Sequence, residues 1–353
     1  MSRGYRSYRG RASKGKIILA VILVLIIFAA LGALSMQRYI VYDENGRPFF
    51  RLPDGDPEVT PPVDPPQNTE PNDLEVIIQE PEAPPLKAFS LAGGPLTLES
   101  WEAARMEAGA DYNAVAVTLK DPQGNIFFDS ETAVKKAVKT EEDTMEVLAS
   151  VTGDAELHTI ARLSCLLDPR ASRTDVEGMG LKNTGGYIFY DGNYTAWLDP
   201  GKEAARAYLG GLAMEIAELG FYEILLTDTG YPTQGKLDKI NYNTDGPIEE
   251  NLCLLWEALC TALEPYEVTL SIELPETVVA EGAEDASGLV LAQAARYADR
   301  IYAVTEAERA ASLSDLTLQA KAVTEDQVKP FVPELAAPDP VWEGDFLLLP
   351  PSE

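Results

Sequence analysis

Residues 197–232 read WLDPGKEAARAYLGGLAMEIAELGFYEILLTDTGYP. Within this stretch Ala205, Leu209, Leu212, Ile216 and Leu219 recur at the spacing of one apolar helix face, and Gly220 supplies a C-terminal stop. YEILLTD (222–228) follows at once as a short apolar run of strand length, and Thr229, Gly230 and Pro232 carry the turn chemistry that closes it. A helix feeding directly into a buried strand is the repeating unit of a parallel α/β sheet.

The same rhythm extends in both directions. Upstream, strand patterns fall at KAFSLAG (87–93), NAVAVTL (113–119) and HTIARLSCL (158–166). Downstream they fall at VTLSIEL (268–274), RIYAVT (300–305), KPFVPEL (329–335) and DFLLLP (345–350). Between them lie helical stretches such as 98–109 and 250–263. Eight apolar strands separated by crossovers predict an α/β fold, a (β/α)8 barrel over 87–353. The competing architecture is a doubly wound open sheet. LAGGPLT lacks the GxGxxG or GK[ST] pattern that would put a phosphate loop after its first strand.

Ahead of the barrel, residues 1–16 hold six basic side chains and no acid. Residues 17–36 (IILAVILVLIIFAALGALSM) are free of charge and long enough to cross a hydrocarbon core of roughly 30 Å. The basic flank predicts a cytoplasmic N-terminus, a single transmembrane helix and an extracellular remainder. The run exceeds the length of a signal-peptide core, which favours an uncleaved anchor at the cell membrane. Residues 37–86 are rich in Pro and acids and read as an extended linker, with LEVIIQ (74–79) as an apolar exception.

Charge and rare residues narrow the chemistry. Residues 17–353 carry 22 basic and 57 acidic side chains, a surface that repels nucleic acid. His158 is the sole histidine, which argues against His-rich metal centres and metalloprotease schemes. Cys165, Cys253 and Cys260 have no metal-ligand spacing, and the latter two share a helix face. No cofactor motif and no calcium-loop spacing is present, so neither a cofactor nor a metal is expected.

Three segments carry a family resemblance: YNAVAVTLKDPQGNIFFDS (112–130), IAR with its following Asp168-Pro169, and 197–232. With looser matches at 270–274 and 329–335, the chain resembles DUF4015, a family of glycoside hydrolase-like barrels secreted by bacteria. The resemblance implies a barrel whose active site lies at the strand ends. In that family strand two reads about VIDVKD and strand four about IQFDYIRFP. The two strand-end aspartates fall here on Thr118 and Thr227, and the loop arginine on Gly230, whereas Lys120, Asp121, Arg162 and Asp168 match.

Side chains alternate faces along a strand, so Thr118 facing inward takes Ala116 and Lys120 with it, and Thr227 takes Leu225 and Glu223. Asp228 would then face the helices unless the strand has ended. Ser271 and Glu273 share the inward face of strand five, with Glu273 at the catalytic end. Glycoside hydrolysis needs two carboxyl groups. Glu273 and Asp228 are the catalytic candidates, and Glu334 is a further acid. Lys120, Asp121, Arg162, Trp197 and Tyr231 are candidates for substrate contact. Each has a plainer reading: an ion pair for Lys120 and Arg162, a turn for Asp121 and Asp228, a helix start for Asp199-Pro200. Tyr187, Tyr190 and Tyr194 suggest an aromatic carbohydrate surface. Two functions follow: an enzyme acting on cell-wall or extracellular polysaccharide, or a barrel that binds glycan or protein without cleaving it.

Overall fold

The computed structural model describes residues 40–42, 48–50, 84–319, 330–337 and 342–350. The chain divides into two compact units, Met1–Ile78 and Gln79–Glu353. In the first, Ile40–Tyr42 pairs antiparallel with Pro48–Phe50, a short ribbon inside the segment expected to be linker. The predicted transmembrane helix at 17–36 and the LEVIIQ run lie outside the described residues. Among the described residues no helix is long and apolar enough to cross a membrane.

The second unit holds a closed barrel of eight strands. They are β1 (Lys87–Ser90), β2 (Ala114–Lys120), β3 (His158–Ser164) and β4 (Glu223–Thr227), then β5 (Thr269–Glu273), β6 (Arg300–Val304), β7 (Phe331–Leu335) and β8 (Phe346–Leu348). All pairings are parallel, and Leu347 of β8 against Ala88 of β1 closes the ring. Every strand overlaps its predicted segment, because apolar runs of this length between turn residues have few alternatives.

Helices fill the crossovers: α1 (Leu98–Ala108), α2 (Thr144–Thr152), α3 (Pro169–Thr174), α4 (Glu203–Glu218), α5 (Glu249–Leu263), α6 (Glu276–Glu281), α7 (Leu291–Tyr297) and α8 (Ala307–Gln319). Thr97 and Ser100 cap α1 reciprocally. On α4 the predicted face is the one buried, with Leu209, Leu212 and Ile216 fully enclosed. Each such side chain contributes roughly 1.5–3 kcal/mol by leaving water. Gly220 adopts φ +88°, which only glycine tolerates cheaply, and the chain turns there into β4.

The barrel has a dry inner layer distinct from its outer one. Ala88, Ala114 and Ala116 of β1 and β2 oppose the larger Ile160, Leu225, Tyr302, Val332 and Leu347. Small residues on one side make room for large ones on the other, so the interior is filled. Side chains at the next inward positions reach the strand C-terminal ends, where the long loops after β3 and β4 meet. There Lys182–Asn183 pairs antiparallel with Ile240–Asn241.

Candidate active site

Ile160 faces the barrel interior, so alternation brings Arg162 and Ser164 to the same face nearer the mouth. The Arg162 guanidinium lies between two carboxyls: Nη2 donates to Glu273 Oε2 and Nη1 to Glu334 Oε2, both at 2.6 Å. These are short charge-assisted bonds. Burial works against the charge on Arg162, but Glu334 and Glu273 outweigh it and raise its pKa. Glu334 is wholly buried, whereas the Glu273 side chain keeps 25% of its surface exposed.

One cation cannot neutralise two adjacent carboxyls. Burial, and next to it the charge of Glu334, push Glu273 well above the usual carboxylate range despite Arg162. Glu334 Oε1 is buried without a donor among the described residues. The mouth therefore holds two carboxyl groups on one guanidinium, and the pKa of Glu273 is raised.

Asp228 joins them by an unexpected route. The strand ends at Thr227, and Asp228 takes a left-handed φ of +51°. That turn breaks the alternation that would have sent Asp228 toward the helices. Its Oδ2 instead accepts from Ser164 Oγ at 2.6 Å and Thr227 Oγ1 at 3.3 Å. Its backbone carbonyl still accepts from Leu166 N, extending the β3–β4 pairing past the strand end. Asp228 and Glu273 both line a cleft of about 400 Å³.

Trp197 and Tyr231 line the same cleft. Trp197 Nε1 donates to Asp191 Oδ2 at 2.9 Å, which fixes the indole at the rim. Tyr231 is almost fully buried, and its hydroxyl accepts from Asn251 Nδ2 at 2.8 Å. Behind it Asp199 is buried, with Oδ2 unpartnered among the described residues. Burial, partly offset by the Gly201 N–H, Lys202 and Arg206, pushes its carboxyl up to about 6.

Lys120 and Asp121 lie elsewhere. Thr118 pairs with Arg162 but Lys120 with Leu163, so two steps along β2 match one along β3. This bulge gives Lys120 the outward parity of Leu163 rather than the inward parity of Thr118. Its ammonium is fully enclosed, donating to Ser164 O at 2.5 Å and lying 3.1 Å from Asp168 Oδ2. With no exposed atom, it holds the loop after β3 and cannot reach a sugar. Asp168 also caps α3 through Arg170 N and Ala171 N. Asp121 accepts from Gln123 N and Asn125 N, as a turn carboxylate does. A Cβ on Gly124 of that turn would stand 2.3 Å from Asp168 Oδ1, so the turn requires glycine there.

Sequence reasoning gave no role to Asp191 or Glu284 and only a turn to Thr229, and all three line the cleft. Glu284 arrives on a two-residue strand paired with Leu289–Val290, a feature with no local signal. Tyr187 and Tyr194 are 76% and 84% exposed on the loop that carries Trp197. No disulfide joins the three cysteines, and among the described residues no group of His, Cys, Asp and Glu is arranged to hold a metal.

Residues 97–304 match the family DUF4015, described as "Putative glycosyl hydrolase domain". A comparison with curated proteins yields no match. Among solved structures, the glycoside hydrolase domain of PgaB (BpsB) from Bordetella bronchiseptica is 14% identical, covering 71% of this chain and 84% of its own, with a TM-score of 0.48. A hypothetical protein from Ruminiclostridium thermocellum is 24% identical over 50% of this chain and 91% of its own, with a TM-score of 0.41. Aspergillus fumigatus Ega3, solved with galactosamine, is 10% identical over 76% of this chain and 91% of its own, also at 0.41.

Proposed function

Because the chain belongs to the DUF4015 glycosyl hydrolase domain family, we propose that its barrel hydrolyses a polysaccharide, with Glu273 as general acid and Asp228 as its opposing carboxylate. The observation that carries this reading is the partly exposed Glu273, held on Arg162 beside Glu334 with its pKa raised by burial and by Glu334, in a cleft that Asp228 also lines. A carboxyl whose pKa is raised is suited to donate its proton to a departing glycosidic oxygen. Asp228, oriented by Ser164 and Thr227, either attacks the anomeric carbon or takes a proton from the water that does. Arg162 and Glu334 position Glu273 and set its proton affinity. Trp197 at the cleft and the exposed Tyr194 beyond it offer faces on which sugar rings stack.

A second reading, a barrel that binds glycan without cleaving it, is favoured by Thr118 and Thr227 at the positions of the family aspartates. Reducing-end release from a panel of bacterial cell-wall and exopolysaccharides separates the two. Hydrolysis that Glu273→Gln and Asp228→Asn each abolish supports the enzyme. Retained binding of a polysaccharide that is never cleaved supports the binder.

The charge-free run at 17–36 behind a basic tail supports anchoring in the cell membrane with the barrel outside. Protease added to intact cells should degrade the barrel; a barrel degraded only after lysis would contradict that placement.

A further inference from the structure

The bulge in β2 turns Lys120 away from the cleft, yet what its side chain holds leads back there. An ammonium has three N–H donors. Those of Lys120 reach Ser164 O at 2.5 Å, Cys165 O at 3.5 Å and Asp168 Oδ2 at 3.1 Å, all in the segment that ends β3. Asp168 also accepts from the Tyr208 hydroxyl of α4 at 3.3 Å and from the N–H groups of Arg170 and Ala171. The buried ion pair is therefore hydrogen-bonded on both sides, as such a pair must be to persist.

The same segment holds Asp228. Among the described residues, the hydrogen bonds that reach Asp228 from outside β4 come from Ser164 Oγ to its carboxylate and Leu166 N to its carbonyl. Between them Cys165 N donates to Thr227 O at 2.9 Å. Asp228 stands at φ +51°, a conformation that costs most residues energy and lasts only where the surroundings fix it. Ser164 has a single hydroxyl proton to give. Its Oγ lies 2.6 Å from Asp228 Oδ2 and 3.2 Å from Leu167 O, so the placement of the Ser164 backbone decides which oxygen receives it.

Building on the hydrolase reading, we infer that Lys120 is a positioning residue for Asp228: by fixing the Ser164 and Cys165 carbonyls, it aims the Ser164 hydroxyl at the Asp228 carboxylate and keeps that carboxylate at the cleft. Lys120 itself touches neither Asp228 nor the cleft. It acts through one residue on each side of Cys165.

Lys120→Met alone strands the Asp168 charge in the interior, so the test pairs it with Asp168→Asn, which leaves the site neutral. Ser164→Ala breaks the last link and keeps the ion pair. The first readout needs no substrate: it is the carboxyl carbon NMR signal of Asp228 in the full chain isotope-labelled at aspartate, assigned through Asp228→Asn. The paired variant and Ser164→Ala should move this signal in the same direction, and combining them should move it no further. Leu259→Ala, a core truncation on α5, should lower the melting temperature and leave the signal in place. On a glycan that the chain cleaves, the paired variant and Ser164→Ala should each lower kcat about tenfold to a hundredfold with KM nearly unchanged, since a misplaced group loses rate rather than binding. An Asp228 signal indifferent to the paired variant overturns the proposal and leaves Lys120 a staple of the loop. So does an equal move with Leu259→Ala, which would report general loosening. A chain that cleaves no glycan yet shows the matched, non-additive shifts sinks the hydrolase reading and keeps the link from Lys120 to Asp228. Cleavage whose kcat ignores the paired variant keeps the hydrolase and sinks the positioning.

Discussion

The two ends of the barrel each hold a buried glutamate beside an arginine, and the pairs behave in opposite ways. At the N-terminal end Glu223 accepts from His158 at 2.8 Å, Arg300 at 2.5 Å, Ser271 at 2.6 Å and Tyr302 at 2.8 Å. Burial alone would raise its pKa, but the His158 bond, the Arg300 charge and the Ser271 bond outweigh it and hold the carboxylate ionised. At the C-terminal mouth one arginine serves two glutamates, and the pKa of Glu273 is raised. Donors exceed acceptors at one end, acceptors exceed donors at the other. The first arrangement fixes a structure, and the second leaves a carboxyl of raised pKa at the edge of a cleft.

That contrast can be broken most severely at the mouth. Glu273→Gln should lower kcat by about 10²–10⁴-fold, the usual worth of a general acid, while the melting temperature holds or rises. A large loss of stability with it would mean that Glu273, like Glu223, is structural. At the other end, Glu223→Ala leaves Arg300 and His158 without their buried anion. It should cost about 3–5 kcal/mol in urea unfolding, whatever it does to activity.

The proton balance can be tested through pH. With its pKa raised, Glu273 is active as an acid until pH climbs through that raised value, so kcat/KM should fall on the alkaline side. Glu334→Gln removes the negative neighbour and should move this limb to lower pH; an unmoved limb would detach Glu334 from the acid. Asp199 gives a stability counterpart. Its folded pKa is raised from 3.8 to about 6, so its contribution is full below the unfolded value and is lost as pH rises to about 6. At 1.36 kcal/mol per unit the loss is roughly 3 kcal/mol. Asp199→Asn should therefore be the more stable protein by up to that amount above pH 6, with no advantage near pH 4, in urea titrations across this range. The smallest effect belongs to the rim. Tyr194→Ala should raise KM for a polymer about fivefold through the loss of one stacking contact, with kcat unchanged.

Much of the site was legible one residue at a time. Glu273 at the end of an inward-facing strand and Arg162 as its ion-pair partner stand where alternation put them, whereas Tyr231 is almost fully buried against Asn251. Alternation failed at Lys120 and Asp228, because a one-residue bulge inverts parity in the first case and a left-handed residue ends the strand in the second. No sequence pattern announces either. Glu334 was visible as an acid, but its place opposite Glu273 on the same guanidinium depends on closing strands 172 positions apart.

By itself the sequence determined what local physics determines: eight strands and the helices between them. Those follow from apolar spacing, capping and turn residues that act over a few positions. Only the tertiary structure decided which acids meet, which of them has its pKa raised and which cation is sealed away. Those outcomes depend on register across a closed barrel and on burial, where a single residue's shift changes the partner a charge receives.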